Sequence, residues 1–140
     1  MMVKVLIVED NPADLRIAEE MLKETGHVVE ILSASDGEKA IAIICELAKG
    51  GPGSKNLILL DLKIPKVDGI EVLRKIREIK GNSRTMVAVL TGSLMPEDRV
   101  RALELKADAF LTKPMSMDEF ESVTDEIKGL LASLAHPSTQ

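Results

Sequence analysis

The chain has 140 residues, 45% apolar and 29% charged, a balance that suits one soluble domain with a full core. It has no Trp or Tyr, two Phe and one cysteine, Cys45, which excludes an internal disulfide framework and requires an aliphatic core. The 18 Lys and Arg face 23 Asp and Glu, and a net charge of −5 argues against nucleic acid as the main partner while suiting a divalent cation.

No apolar run approaches the roughly 18 residues of a membrane span, and the opening MMVKVLIVEDN turns acidic too soon for a signal peptide. The expectation is a cytoplasmic protein with no membrane contact. The first apolar run, Val5–Val8, ends in Glu9-Asp10. Asn11-Pro12 then reads as the N-cap and first position of a helix carrying Leu15, Ala18, Met21 and Leu22, closed by Gly26 after Thr25. A second run, Val28–Leu32, includes Glu30, as an edge strand would. Ser35-x-x-Glu38 reads as a capping box for a helix with Ile41, Ile44, Leu47 and Ala48, and Cys45 is expected in its core pattern.

Gly50-Gly51-Pro52-Gly53-Ser54 precedes a strand and lacks phosphate-loop spacing, so it reads as a linker. The third run, Leu57–Leu60, is uniformly apolar and ends abruptly in Asp61; a helix with Val72, Leu73, Ile76 and Ile79 follows. The fourth, Val87–Leu90, leads into Thr91-Gly92 and a helix with Val100, Leu103 and Leu105. The fifth, Ala109–Leu111, is short and precedes Lys113-Pro114. Ser116-x-x-Glu119 then caps a last helix with Phe120, Val123, Ile127, Leu130, Leu131 and Leu134. Leu94, Met95, Met115 and Met117 are expected to fill the core. Residues 1–134 read as one domain and 135–140 as a tail.

Five strand–helix alternations predict an α/β fold: a doubly wound (βα)5, flavodoxin-like three-layer sandwich on a parallel five-stranded sheet. Runs one, three and four are the most continuously apolar and belong in the centre, which matches strand order 2-1-3-4-5. The dinucleotide-binding alternative needs a Gly-rich turn after the first strand, where this chain has Glu-Asp-Asn-Pro. In such sheets ligands bind beyond the carboxyl ends of the strands, where the order reverses. Glu9, Asp10 and Asp61 would gather there, with Thr91 and Lys113 opposite. Singly, each has a structural role to fill, as a helix-dipole partner, a loop cap or a solvated cation. On one rim, three carboxylates repel unless a cation neutralises them, and Mg²⁺ takes such ligands.

With VLIVEDNPAD, LILLDLKIPKVDG, VAVLTGS and ADAFLTKP in order, the chain resembles the receiver domain of two-component response regulators, of the single-domain chemotaxis-regulator type, from about Val3 to Leu134. The EDNPAD opening and the long loop before the third strand also resemble receivers paired with bacterial phytochrome kinases. The resemblance implies a phosphoacceptor switch, not an enzyme. Asp61 would take a phosphoryl group from a sensor histidine kinase, Lys113 would neutralise the phosphoryl oxygens, and Thr91 would donate a hydrogen bond to one of them. Mg²⁺ would be held by Asp10, Asp61 and the backbone carbonyl of Lys63, with Glu9 acting through a water.

Switching would pull Thr91 inward and let Phe110 rotate in, remodelling the face made by the fourth helix, fifth strand and fifth helix for a downstream protein. Pro65 and Gly69 would shape the loop after the third strand, and Gly92 would leave room for the donor. Lys63 and Ser93 would tune self-dephosphorylation. Ala109 and the acidic last helix argue against a charge-paired dimer and leave a monomer or a weak homodimer. The chain ends just after the last helix, so a stand-alone receiver is expected. A phosphatase of the haloacid dehalogenase type needs a second Asp where Lys63 stands, and a never-phosphorylated adaptor has no need of the intact set Glu9, Asp10, Asp61, Thr91 and Lys113. His27 and His136 lack the helical setting of a phosphohistidine carrier.

Overall fold

A computed structural model of the chain describes residues 2–51, 53–79, 84–93 and 95–135. Strand and helix alternate as β1 (Val3–Val8), α1 (Pro12–Glu24), β2 (Val29–Ala34), α2 (Gly37–Ala48), β3 (Lys55–Leu60), α3 (Gly69–Glu78), β4 (Arg84–Thr91), α4 (Pro96–Glu104), β5 (Ala109–Thr112) and α5 (Met117–Ala135). All pairings are parallel and the sheet order is β2-β1-β3-β4-β5, as the run lengths and apolarity predict.

Side chains alternate across a strand, so each central strand feeds two cores. Leu6, Val8, Ile58, Leu60, Val87 and Val89 face one side and pack with Ile44 of α2, Leu73 of α3 and Ala102 of α4. Val5, Ile7, Leu57, Leu59, Ala88 and Leu90 face the other and pack with Met21 of α1 and Ile127, Leu131 and Leu134 of α5. Leu57–Leu60 are buried on both faces. Each such side chain contributes about 1.5–3 kcal/mol of transfer free energy, which leaves the chain ends, not the strand middles, free to vary.

The caps are sharp. Asn11 Oδ1 accepts from the amides of Ala13 and Asp14, Pro12 opens α1, and Thr25 closes it before Gly26 at φ 79°. Ser116 Oγ accepts from Glu119 N–H, and Glu119 reaches back to the Met115 amide. The cap of α2 is Asp36 rather than Ser35, because the Asp36 carboxylate takes the Lys39 amide at 2.8 Å while the Ser35 hydroxyl meets the Lys39 ammonium.

Three core expectations fail. Cys45 is exposed, since α2 buries the Ala40–Ile44–Leu47 stripe and Cys45 lies about 100° round from Ile44. Met95, Met115 and Met117 are exposed, Met115 at 88%, because they sit at or just before the starts of α4 and α5, beyond the layers; Leu94 lies outside the described residues, as does His136. Val100 and Leu103 are also exposed, for α4 buries Asp98 and Ala102 instead. Among the described residues no helix is long and apolar enough to cross a membrane.

Candidate functional site

The register fixes the site before any side chain does. The Glu9 amide donates to Ala34 O at 3.0 Å, the Asp61 amide to Val8 O at 3.1 Å, and the Lys113 amide to Thr91 O at 2.9 Å. These ladder-end bonds put the residues after β1, β3 and β5 on one rim, beside the last residue of β4. Glu9, Asp10, Asp61, Lys63, Ser93 and Lys113 line an open crevice of about 370 Å³ there.

Asp61 is buried, and three donors converge on its carboxylate. Oδ1 accepts from Thr91 Oγ1 at 2.9 Å and from the Lys63 amide at 3.1 Å. Oδ2 accepts from Lys113 Nζ at 2.8 Å. Lys113 also reaches Glu9 Oε1 at 2.7 Å and Asp14 Oδ2 at 2.8 Å, so one ammonium answers three carboxylates. Burial alone would depress its pKa, but hydrogen bonds to Asp14, Asp61 and Glu9 outweigh that and hold it above the ordinary lysine value. The ammonium therefore keeps its charge through the physiological pH range. Burial raises Glu9, against the pull of Lys113 and of the Asn11 amide, which donates to Glu9 Oε2 at 3.0 Å.

Glu9, Asp10 and Asp61 each offer a carboxylate oxygen, all within 4.8 Å of one another, and Asp10 stays exposed. That is a hard oxygen donor set open on one side, which fits a small divalent cation that keeps several waters. Lys113 fills the cationic place opposite.

The loop after Asp61 is shaped by close backbone approach. A side chain on Gly69 would lie 2.4 Å from Leu62 Cα and 2.5 Å from Asp61 O. The Pro65 carbonyl accepts from the Gly37 amide at 3.2 Å, and a side chain on Gly37 would meet Val67 O at 2.1 Å. Pro65 and Gly69 thus shape the loop as the sequence suggests, and Gly37 does as much from the far side. At Gly92 a methyl would meet only Lys113 Cδ at 3.9 Å, an ordinary contact.

Phe110 lies on β5, half-buried against the α2–α4 core, with the Arg99 guanidinium 5.4 Å from its ring centroid. Sequence reasoning missed two participants. Asp14 follows Asn11 in the first turn of α1, so its side chain returns to the strand ends; its place inside VLIVEDNPAD was the available signal. Asp98 was hidden as an ordinary acid in a first helical turn. Asp98 is 7% exposed, and its carboxylate accepts from Ser93 Oγ at 2.6 Å, with Lys63 Nζ at 3.3 Å. The Ser93 hydrogen bond, reinforced by Lys63, holds the Asp98 carboxyl below its ordinary value.

Residues 5–125 match the model of the response regulator receiver domain. Over 134 residues the chain is 36% identical to the transcriptional regulatory protein TrcR of Mycobacterium tuberculosis, covering 96% of this chain and 47% of that protein. It therefore spans about half the length of that relative. With the response regulator Rcp1 of Synechocystis it shares 34% identity, covering 89% of this chain and 85% of Rcp1. The solved structure of the phosphorylated cyanobacterial phytochrome response regulator RcpA superposes with a TM-score of 0.77 at 29% identity, over 99% of this chain and 98% of that one.

Proposed function

The chain belongs to the response regulator receiver domain family, and we propose that it is a Mg²⁺-dependent phosphorylation switch with Asp61 as phosphoacceptor. The observation that carries this reading is the Asp61 carboxylate, buried at a strand end and held by Thr91, the Lys63 amide and Lys113 beside Glu9 and Asp10. One Asp61 oxygen attacks phosphorus; the new O–P bond forms as the bond to the donor nitrogen of a histidine kinase breaks, and an acyl phosphate results. Lys113 carries its charge to the phosphoryl oxygens, and the Thr91 hydroxyl changes acceptor from Asp61 to one of them. Both groups are already in place, so little reorganisation opposes the step.

Asp10, Asp61 and the Lys63 carbonyl would hold Mg²⁺, with Glu9 acting through a water, and the bound ion would supply further positive charge to the phosphoryl oxygens. The crystal structure of Rcp1 is of a Mn²⁺-bound form, 32% identical to this chain, which supports the choice of a divalent cation. The likeness to RcpA, a cyanobacterial phytochrome response regulator, supports a phytochrome-type sensor kinase as the partner.

The chemistry is that of a phosphoacceptor switch with intrinsic self-phosphorylation and dephosphorylation rather than of a turnover enzyme. Residues 1–134 form the receiver and 135–140 its tail, although α5 still includes Ala135. Withdrawal of Thr91 would let Phe110 turn inward and change the α4–β5–α5 face toward a downstream protein. We read the chain as a cytoplasmic receiver, a monomer or weak homodimer. Incubation with acetyl phosphate and Mg²⁺, followed by intact mass, tests the core of this reading. One labile phosphate is expected, absent from Asp61→Asn and prevented by a chelator. A phosphate retained by Asp61→Asn would exclude Asp61 as the acceptor.

A further inference from the structure

Five residues close a ring of hydrogen bonds that starts and ends on Asp61 Oδ1. Thr91 Oγ1 donates to that oxygen and accepts from the Ser93 amide at 3.2 Å. The Ser93 hydroxyl donates to Asp98 Oδ2, where the Lys63 ammonium also arrives, and the Lys63 amide returns to Asp61 Oδ1. Lys63 and Ser93 stand on the crevice rim, whereas Asp98 belongs to the first turn of α4. A single carboxylate oxygen of a helix therefore holds a side chain from each wall of the crevice.

We propose that Asp98 is a positioning residue that withholds the Lys63 ammonium from the crevice, so that α4 and a phosphoryl group on Asp61 compete for one cation. The proposal rests on Asp61 being the acceptor. The Lys63 backbone is pinned by its amide, but its side chain is 65% exposed, so its contact with Asp98 is solvent-screened and readily exchanged. A phosphoryl group brings more negative charge than a carboxylate and three strong acceptor oxygens. Loading Asp61 thus draws Lys63 toward the phosphoryl group and removes one of the two polar partners of Asp98. Coupling of this kind is reciprocal: whatever frees Lys63 from α4 stabilises the phosphorylated state, and phosphorylation loosens the start of α4.

The readout is decay of the acyl phosphate, in which water attacks phosphorus, the bond to Asp61 breaks and inorganic phosphate leaves. Wild type, Asp98→Asn, Lys63→Ala and the double variant are loaded with acetyl phosphate and Mg²⁺, freed of donor and followed by intact mass. Asp98→Asn should live about fivefold longer than wild type, the kinetic equivalent of one screened charge contact. In the Lys63→Ala background the same substitution should leave the lifetime unchanged. An unchanged lifetime for Asp98→Asn, or an equal change in both backgrounds, overturns the proposal while leaving Asp61 as acceptor. A wild type that never gains phosphate overturns the acceptor reading and the proposal with it. Hydrogen exchange of the α4 amides provides a measurement that needs no Asp98 variant. Exchange should quicken on loading wild type and respond less in Lys63→Ala, and indifference of α4 to loading overturns the proposal.

Discussion

Helices α4 and α5 flank the same edge strand, yet they are held in opposite ways. Over its 19 residues α5 buries Val123, Ile127, Leu131 and Leu134, a stripe of helical spacing pressed on the central strands. Over its 9 residues α4 buries only Asp98 and Ala102, while Val100 and Leu103 are 54% and 50% exposed. One helix is fastened by apolar area, which falls off slowly and has no alternative partner. The other is fastened in large part by a carboxylate whose partners belong to the functional crevice. An element can be switched only if its tether can be exchanged, and among these two only α4 has such a tether.

The largest expected effect separates the two helices directly. Leu131→Ala removes a fully buried side chain from between α5 and the sheet, at a cost of about 2–5 kcal/mol. Leu103→Ala, the same chemical change on α4, should stay within about 0.5 kcal/mol, as surface substitutions do. Thermal unfolding should put Leu131→Ala roughly 6–15 °C below wild type and Leu103→Ala within about 2 °C of it. Equal losses would show that α4 is packed as α5 is.

A smaller effect tests whether the tether of α4 is ionic. The pKa of Asp98 is lowered in the folded state, by the Ser93 hydroxyl first and Lys63 after it. Its contribution to stability is therefore present above the ordinary carboxylate value of 3.8 and is lost as pH falls through the lower folded value. Asp98→Asn should be less stable than wild type at pH 7, and the gap should close as pH falls below 3.8 and through the lowered folded value. Glu9 has the opposite sign: its raised pKa makes the folded state bind the extra proton, so its contribution falls as pH rises from 4.5 through the raised value. A gap for Asp98→Asn that persists undiminished at low pH would mean the side chain matters for its shape alone.

The contrast between the helices also marks where the amino-acid sequence was legible. The sheet order and the gathering of Glu9, Asp10, Asp61, Thr91 and Lys113 could be read because strand periodicity and parallel topology leave no other place for them. The stripe of α5 could be read for the same reason, as it is long enough to define a face. Val100, Leu103 and Leu105 looked like a buried stripe, but only Leu105, just past the end of α4, packs against the core, and the short helix turns Asp98 and Ala102 inward instead. Periodicity cannot foresee that, because a buried carboxylate is tolerated only where Ser93, in the turn before the helix, and Lys63, distant in sequence, converge on it. Cys45 failed on a finer scale, one residue round from the stripe it seemed to join.

The smallest effect concerns the remaining contact of α4 with β5. Arg99 lies over the Phe110 ring at 5.4 Å, a cation–π contact worth about 0.5–1 kcal/mol when solvent-exposed. Arg99→Ala should lower the unfolding midpoint by only about 2–4 °C. Its local effect is expected to be larger than its global one, because removing the guanidinium uncovers the ring and weakens the hold of β5 on α4. Amide exchange should therefore quicken in α4 and around Phe110 while α5 keeps its protection. Faster exchange in α5 as well would mean that the two helices open together, and that the division between a fixed helix and an exchangeable one does not hold.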